Sequence, residues 1–277
     1  RRTHLEAVVL KTLAGRCDVV PACLGLAGDV LFQEDAGETR LSTAIQTAGP
    51  EDRLQLAGDA VAAIFRYQAA ARDTRLMAVV PPLGAMPDWC ARVAATLGAV
   101  DVTGALALPD LDAVARALAA GPASFLKWDC RAGNAALDAD GHLRWFDFEY
   151  AGLRHGAEDF AWLIADETWP VEAETMLGLV ADAYDTGRDE PREDFLSYLA
   201  LYTACHAAER LALIQDEQRR KGWLDPAGLI RRDYVGTAPG FAAQICAVGA
   251  WAAERNAVTR PAVALFEAEG GGWAALS

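Results

Sequence analysis

Three side chains have the types and the spacing to work on a charged, oxygen-rich substrate: Asp129, Asn134 five residues later, and Asp147 thirteen residues after that. An acid can orient an attacking hydroxyl and take its proton. An amide oxygen and a second carboxylate make a hard-oxygen set that suits Mg²⁺ held against phosphates. Arg131 lies between the first two, where a guanidinium could offset charge on a transferring group. As a surface residue it could equally pair with the neighbouring acids.

The flanking residues show how these groups are positioned. Phe125 to Trp128 reads as the end of an apolar strand that leads into the loop bearing Asp129. Ala135 to Leu137 and Leu143 to Phe146 read as the arms of a hairpin, with Asp138-Ala-Asp-Gly141 as the turn and Gly141 supplying a positive φ. Asp147 follows the second arm. The expected result is one small sheet from which all three side chains leave on the same side.

Asp129-Cys-Arg-Ala-Gly-Asn134 followed by Asp147-Phe-Glu-Tyr150 resembles the catalytic loop and metal-binding motif of the protein-kinase superfamily. Glu149, where protein kinases carry Gly, makes it more similar to the small-molecule branch, the aminoglycoside phosphotransferase and choline/ethanolamine kinase families. The resemblance implies Asp129 as base or hydroxyl-orienting group, Arg131 beside the transferring phosphate, and Asn134 and Asp147 as Mg²⁺ ligands. It makes Asp159 a structural acid under the loop. Lys127 departs from the family pattern, which has His there; Lys127 could pair with Asp147 or Asp129, or reach a phosphate.

The same resemblance organises the start of the chain. Leu5 to Leu13 has helical apolar spacing and carries Glu6. In the resembled families a Glu on this helix pairs with an upstream strand Lys that grips the nucleotide; no residue here can be that Lys. Glu6 is otherwise an ordinary first-turn acid. Val19 to Leu26 and Asp29 to Gln33 read as strands. Glu34, Asp35 and Ala36, with Gly37, take the place of the hinge, where backbone groups would hold adenine.

Composition sets outer bounds. The chain has 277 residues, enough for one large domain or two lobes. Six scattered cysteines without Cys-x-x-Cys pairs argue for free thiols in a reducing cytoplasm. A net charge of −14 argues against a nucleic-acid partner and is compatible with a cationic small substrate. No apolar run reaches membrane-spanning length, so no membrane partner is expected. The first residue is Arg, not Met.

Beyond the hinge the periodicity is mostly helical. Helices are expected at Leu41–Ile45, Glu51–Ala71, Asp88–Leu97 (with Asp88 as cap) and Leu111–Ala120 (with Asp110 as cap). Others are expected from Glu158, and over Val171–Tyr184, Phe195–Ile214 and Phe241–Asn256. Met77 to Pro87 reads as a loop or extended arm, Asp216 to Gly240 as loop-rich, and the Gly270-Gly-Gly tail as frayed. Arg66 and Gln68, where relatives show a Leu-His pair, read as solvated. His155 has no evident partner. Eight Trp could serve core packing or an aromatic cage.

The expected fold is α+β: a protein-kinase-like two-lobe fold with a truncated N-lobe, lacking its first strands, over residues 1–35 and a mostly helical C-lobe over residues 36–277. The implied function is ATP- and Mg²⁺-dependent transfer of the γ-phosphoryl group to a hydroxyl of an aminoglycoside, choline, ethanolamine, a sugar or an amino alcohol. A relative that binds a ligand or partner without turnover is the competing reading. The retained Asp129, Asn134 and Asp147 favour the enzyme; the missing Lys and the unusual Lys127 favour the binder.

Overall fold

The computed structural model describes residues 2–100 and 104–276. Its chain order is α1 (Arg2–Leu13), β1 (Cys23–Ala27), β2 (Val30–Gln33), β3 (Thr39–Arg40), α2 (Leu41–Thr47), α3 (Pro50–Arg72), α4 (Leu76–Val79), α5 (Trp89–Thr96), α6 (Leu111–Ala119) and β4 (Ser124–Leu126). Then come β5 (Ala135–Leu137), β6 (Leu143–Trp145), β7 (Gly152–Arg154), α7 (Glu158–Ile164), α8 (Ala173–Asp182), α9 (Arg192–Lys221), α10 (Pro226–Arg232), α11 (Pro239–Glu254) and α12 (Val263–Ala274). The fold is α+β. Contacts group it into two compact units: Arg1–Leu83 with Pro122–Leu163 and Pro170–Arg192, and Gly84–Gly121 with Ile164–Trp169 and Glu193–Ser277.

The first unit holds all the strands among the described residues, in three small antiparallel sheets: β1–β2, β3–β5–β6 and β4–β7. The expected single sheet is therefore divided. The strand before Asp129 pairs with β7, a segment the sequence did not mark, through Ser124↔Arg154 and Leu126↔Gly152. The hairpin before Asp147 pairs with β3 instead. Helix α3 runs beside both, burying Ala60, Ile64 and Tyr67; the Trp145 indole donates to the Ala60 carbonyl at 3.4 Å. The expected strand from Val19 begins only at Cys23. Pro21 has no N–H for a ladder, and Val19 gives its carbonyl to Trp145 N at 2.8 Å instead.

The second unit is helical. Asp110 caps α6 by accepting from Ala113 N at 3.0 Å. Asp88 makes no side-chain cap bond and pairs with Arg92 at 3.5 Å, so that cap fails. Helix α9 overruns its expected end by seven residues, carried on by Glu217 with Arg220 and Lys221 at 2.7 and 2.5 Å. The stretch read as loop-rich contains α10, capped by Asp225 on Gly228 N. The glycine tail read as frayed is helical through Ala274, packed on α11. In the first unit, α4 likewise occupies the start of the arm read as extended. No helix among the described residues is long and apolar enough to cross a membrane.

Candidate functional site

Every residue of the Asp129–Asp147 constellation lies in the first unit. β4 ends at Leu126, and the chain then turns through two non-glycine residues in the left-handed region, Trp128 at φ 57° and Asp129 at φ 52°. Asp147, at φ 62°, is a third; the fourth such residue among those described, Asp233, ends helix α10. Left-handed backbone costs energy without glycine and persists where the surroundings enforce it. Three of the four cases fall at the proposed chemistry.

The enforcing group for the first turn is Asp159. Its fully buried carboxylate accepts the N–H groups of Lys127 at 3.1 Å and Trp128 at 2.8 Å, the Tyr67 hydroxyl at 2.7 Å and Gln68 Nε2 at 2.9 Å. Gln68 also donates to the Gly156 carbonyl at 3.0 Å and is buried, unlike its sequence reading. Arg66 is exposed as expected and pairs with Asp18. Tyr67, Gln68 and the buried Cys130, whose thiol lies 3.2 Å from the Tyr67 hydroxyl, are members of the site's support that the motif did not mark. The Tyr67-Gln68 step of an amphipathic helix gave only periodicity as a signal.

Asp129 is brought together with two other residues expected at the site. Arg131 Nε donates to one carboxylate oxygen and Asn134 Nδ2 to the other, both at 3.0 Å; Asn134 Nδ2 also reaches the Asp129 carbonyl at 3.0 Å. Burial alone would raise the Asp129 pKa. The charges of Arg131 and Lys127 and the bonds from Arg131 and Asn134 outweigh it, so Asp129 is held below the ordinary carboxylate range. Asn134 closes a single 3₁₀ turn before β5, and its carbonyl accepts Phe146 N at 3.0 Å. That bond ties the end of β6, hence Asp147, to the Asn134 backbone.

Among the described residues, the Asp147 carboxylate and Asn134 Oδ1 make no hydrogen bond or ion pair. Both are hard oxygens held by fixed backbone. This donor set fits Mg²⁺, which takes one or two protein oxygens and completes its shell with phosphate and water. Asp138, Asp140 and His142 also gather at the hairpin tip within 4.8 Å, but Asp138 is occupied in closing the turn, accepting from Asp140 N and His142 N.

Glu6 arrives from α1, its Oε1 accepting Phe148 N at 2.9 Å. Glu149 pairs with Arg2 at 3.7 Å. Lys127 is fully buried; its ammonium contacts neither Asp129 nor Asp147 as an ion pair. In the segment expected to serve as hinge, Glu34 exchanges bonds with Ala22 and pairs with Arg144 at 3.1 Å. Asp35 accepts Gly37 N at 3.0 Å, and Ala36 is buried. Gly37, at φ 137°, lies against β5: a Cβ there would sit 2.1 Å from the Leu137 carbonyl oxygen. His155 does have a partner, Glu190, at 2.8 Å. Trp145 and Trp169 are buried in the core, and Trp128 meets Trp162 edge-on at 6.1 Å.

No family model and no curated protein matches the sequence. Solved structures match by fold. A choline/ethanolamine kinase family protein from Mesorhizobium loti has a TM-score of 0.56 at 17% identity, covering 96% of this chain and 83% of that one. A GDP complex of a mutant aminoglycoside 2′-phosphotransferase-IIIa has a TM-score of 0.52 at 12% identity, covering 84% and 82%. The gentamicin complex of APH(2″)-IIa has a TM-score of 0.50 at 13% identity, covering 80% and 78%. The chain has the protein-kinase-like fold of these structures, the fold its Asp129–Asp147 motif implied.

Proposed function

We propose that this chain transfers the γ-phosphoryl group of ATP, with Mg²⁺, to a hydroxyl of a small molecule. Asp129 orients the hydroxyl and receives its proton. Arg131 offsets charge on the moving group. Asn134 and Asp147 would hold Mg²⁺, which supplies charge neutralisation across the phosphates. The backbone of Glu34, Asp35 and Ala36 would take adenine, and Glu6 would steady the Asp147 turn. Residues 1–35 are assigned to a small N-lobe and residues 36–277 to the C-lobe. Catalysis of this kind rests on positioning and charge placement. The acidic chain, net charge −14, suits a cationic acceptor such as an aminoglycoside or an amino alcohol.

One observation carries the reading. Asp147 stands on a left-handed turn with its carboxylate uncommitted, joined through the Phe146–Asn134 bond to a second free oxygen. The test is thermal unfolding with ATP alone, with ATP and Mg²⁺, and with the Asp147→Ala variant. A ligand that binds only the folded state raises the midpoint. A magnesium-dependent rise that is absent in the variant is the expected result. No rise at any ATP concentration overturns the reading.

Binding without turnover is the second reading. It is favoured by Lys127, fully buried at the position where the resembled families carry His. Slow release of inorganic phosphate from MgATP, lost in Asp129→Asn, separates the two.

A further inference from the structure

We propose that Lys127 is an internal strut: its ammonium holds the carbonyls of the left-handed Trp128–Asp129 pair and, packed against Phe148, ties the turn bearing Asp129 to the turn bearing Asp147. The consequence for turnover rests on the phosphotransfer reading; the strut itself does not.

Trp128 and Asp129 are consecutive left-handed residues, and their half-buried carbonyls call for donors. Lys127 Nζ lies 3.1 Å from the Asp129 carbonyl oxygen and 3.4 Å from that of Trp128. The backbone N–H groups on the other side of the same turn go to Asp159. An anion thus satisfies the N–H groups and a cation serves both carbonyls, sharing the Asp129 oxygen with Asn134 Nδ2, and the turn is held from both sides. The ammonium also sits 5.7 Å from the Phe148 ring centroid, within the range of a cation–π contact. Phe148 is itself fully buried, edge-on to Tyr67 at 5.6 Å.

Burying an ammonium without compensation is costly. Here no carboxylate lies within ion-pair distance of Nζ among the described residues, so carbonyl dipoles and the Phe148 face do that work, with the charges of Asp129 and Glu6 acting through space. This accounts for Lys in place of His. An ammonium offers three donors on a flexible stem and can serve two carbonyls, whereas a neutral imidazole offers one. It also redirects the expectation that Lys127 reaches a phosphate, because a side chain with no exposed surface and an occupied head does not extend to a ligand.

The chain's lysines make the test direct. There are only three, and Lys11 and Lys221 are exposed. The native protein is reductively methylated with and without MgATP, and the lysine peptides are read by mass spectrometry. Lys11 and Lys221 are expected to be modified and Lys127 spared in both samples, becoming reactive only in denaturant. Modification of Lys127 in the free protein with protection by MgATP would assign it to the phosphates and overturn the strut. This readout needs no nucleotide binding, so it fails separately from the phosphotransfer reading, which fails if MgATP does not stabilise the wild type.

A second measurement tests the tie between the turns. Lys127→Met keeps the stem and removes the ammonium. Amide hydrogen exchange is expected to accelerate roughly tenfold or more in both the 127–134 and 146–150 segments, with α11 unchanged. The turnover number should fall while KM for MgATP stays within about twofold. Unchanged exchange in the 146–150 segment overturns the tie. If the variant does not fold, the methylation pattern of the wild type decides alone.

Discussion

Glu6 Oε1 accepts the Phe148 backbone N–H at 2.9 Å, joining α1 to the Asp147 turn across 142 residues of sequence. Burial raises the Glu6 pKa, and the nearby charges of Asp147 and Glu149 add to it; the Phe148 bond and Lys127 oppose it without cancelling it. The folded carboxyl therefore holds its proton more tightly than the unfolded one, whose pKa is about 4.3. Its favourable contribution is complete below that value and is lost as pH climbs through the raised folded pKa. Glu6→Gln keeps an acceptor for Phe148 and never ionises. Its melting midpoint should exceed that of the wild type at neutral pH and converge with it near the unfolded value. A gap that does not narrow toward acid would refute this account of Glu6.

Asp159 should be the costliest single carboxylate to remove. Asp159→Ala strands four donors in the interior: Lys127 N, Trp128 N, Tyr67 Oη and Gln68 Nε2. A loss of about 3 kcal/mol or more is expected by urea unfolding, because each buried unsatisfied group carries its own desolvation penalty. Tyr67→Phe removes one donor with its hydrogen bond and should cost about 1 kcal/mol. Equal costs for the two variants would mean that the shared carboxylate is not the centre of the network.

The sequence made the chemistry more legible than its support. Asp129, Asn134 and Asp147 were marked by type and spacing, and their strands by apolar runs. The pairing of β4 with β7 was not legible, since Gly152-Leu-Arg154 is too short to show a period and its partner is chosen by tertiary contact. Gln68 read as solvated because glutamine is mostly exposed; only the fold reveals that Asp159 meets it inside. Likewise His155 gave no sign of Glu190, which lies 35 residues away. The end of α9 was misplaced because its last turns are held by charge pairs, not by the apolar spacing used to read it.

The left-handed backbone at Asp147 sets stability against function. Asp147→Gly and Asp147→Ala both remove the metal-competent carboxylate, so neither should show a magnesium-dependent midpoint shift with ATP. They should differ in stability. Glycine accepts φ 62° freely, while alanine carries a left-handed cost of about 1–2 kcal/mol. Asp147→Gly should therefore unfold at higher urea than Asp147→Ala. Equal midpoints would mean that the turn relaxes once the carboxylate is gone.

Asp129→Asn separates chemistry from binding. The amide keeps the shape and one acceptor oxygen, which serves Arg131 or Asn134 but not both, and it cannot take a proton. Turnover should fall by about 10²–10⁴-fold, the usual worth of a positioned acid–base group, while MgATP still raises the melting midpoint. Loss of both turnover and the midpoint rise would place Asp129 in nucleotide binding instead. Acid should also weaken the wild type here. The Asp129 pKa is depressed in the fold, so its stabilising contribution is present above the unfolded value of about 3.9 and disappears as pH falls through the folded one.

In the second unit, α11 and α12 pack most closely where Gly249 meets the Phe266 ring. A Cβ on Gly249 would lie 2.4 Å from Phe266 Cε1, with two more ring carbons at 2.6 Å, and Phe266 is fully buried. Gly249→Ala must displace that ring and should cost about 1–3 kcal/mol despite the better helix propensity of alanine. Adding Phe266→Leu should return part of the loss, a non-additivity expected of residues in contact. Gly271, in α12, faces open space and has no such constraint. Gly271→Ala should stabilise the helix by roughly 0.5–1 kcal/mol. Opposite signs for the two alanine substitutions by urea unfolding would confirm that α12 is a packed helix and that Gly249 is what lets it dock.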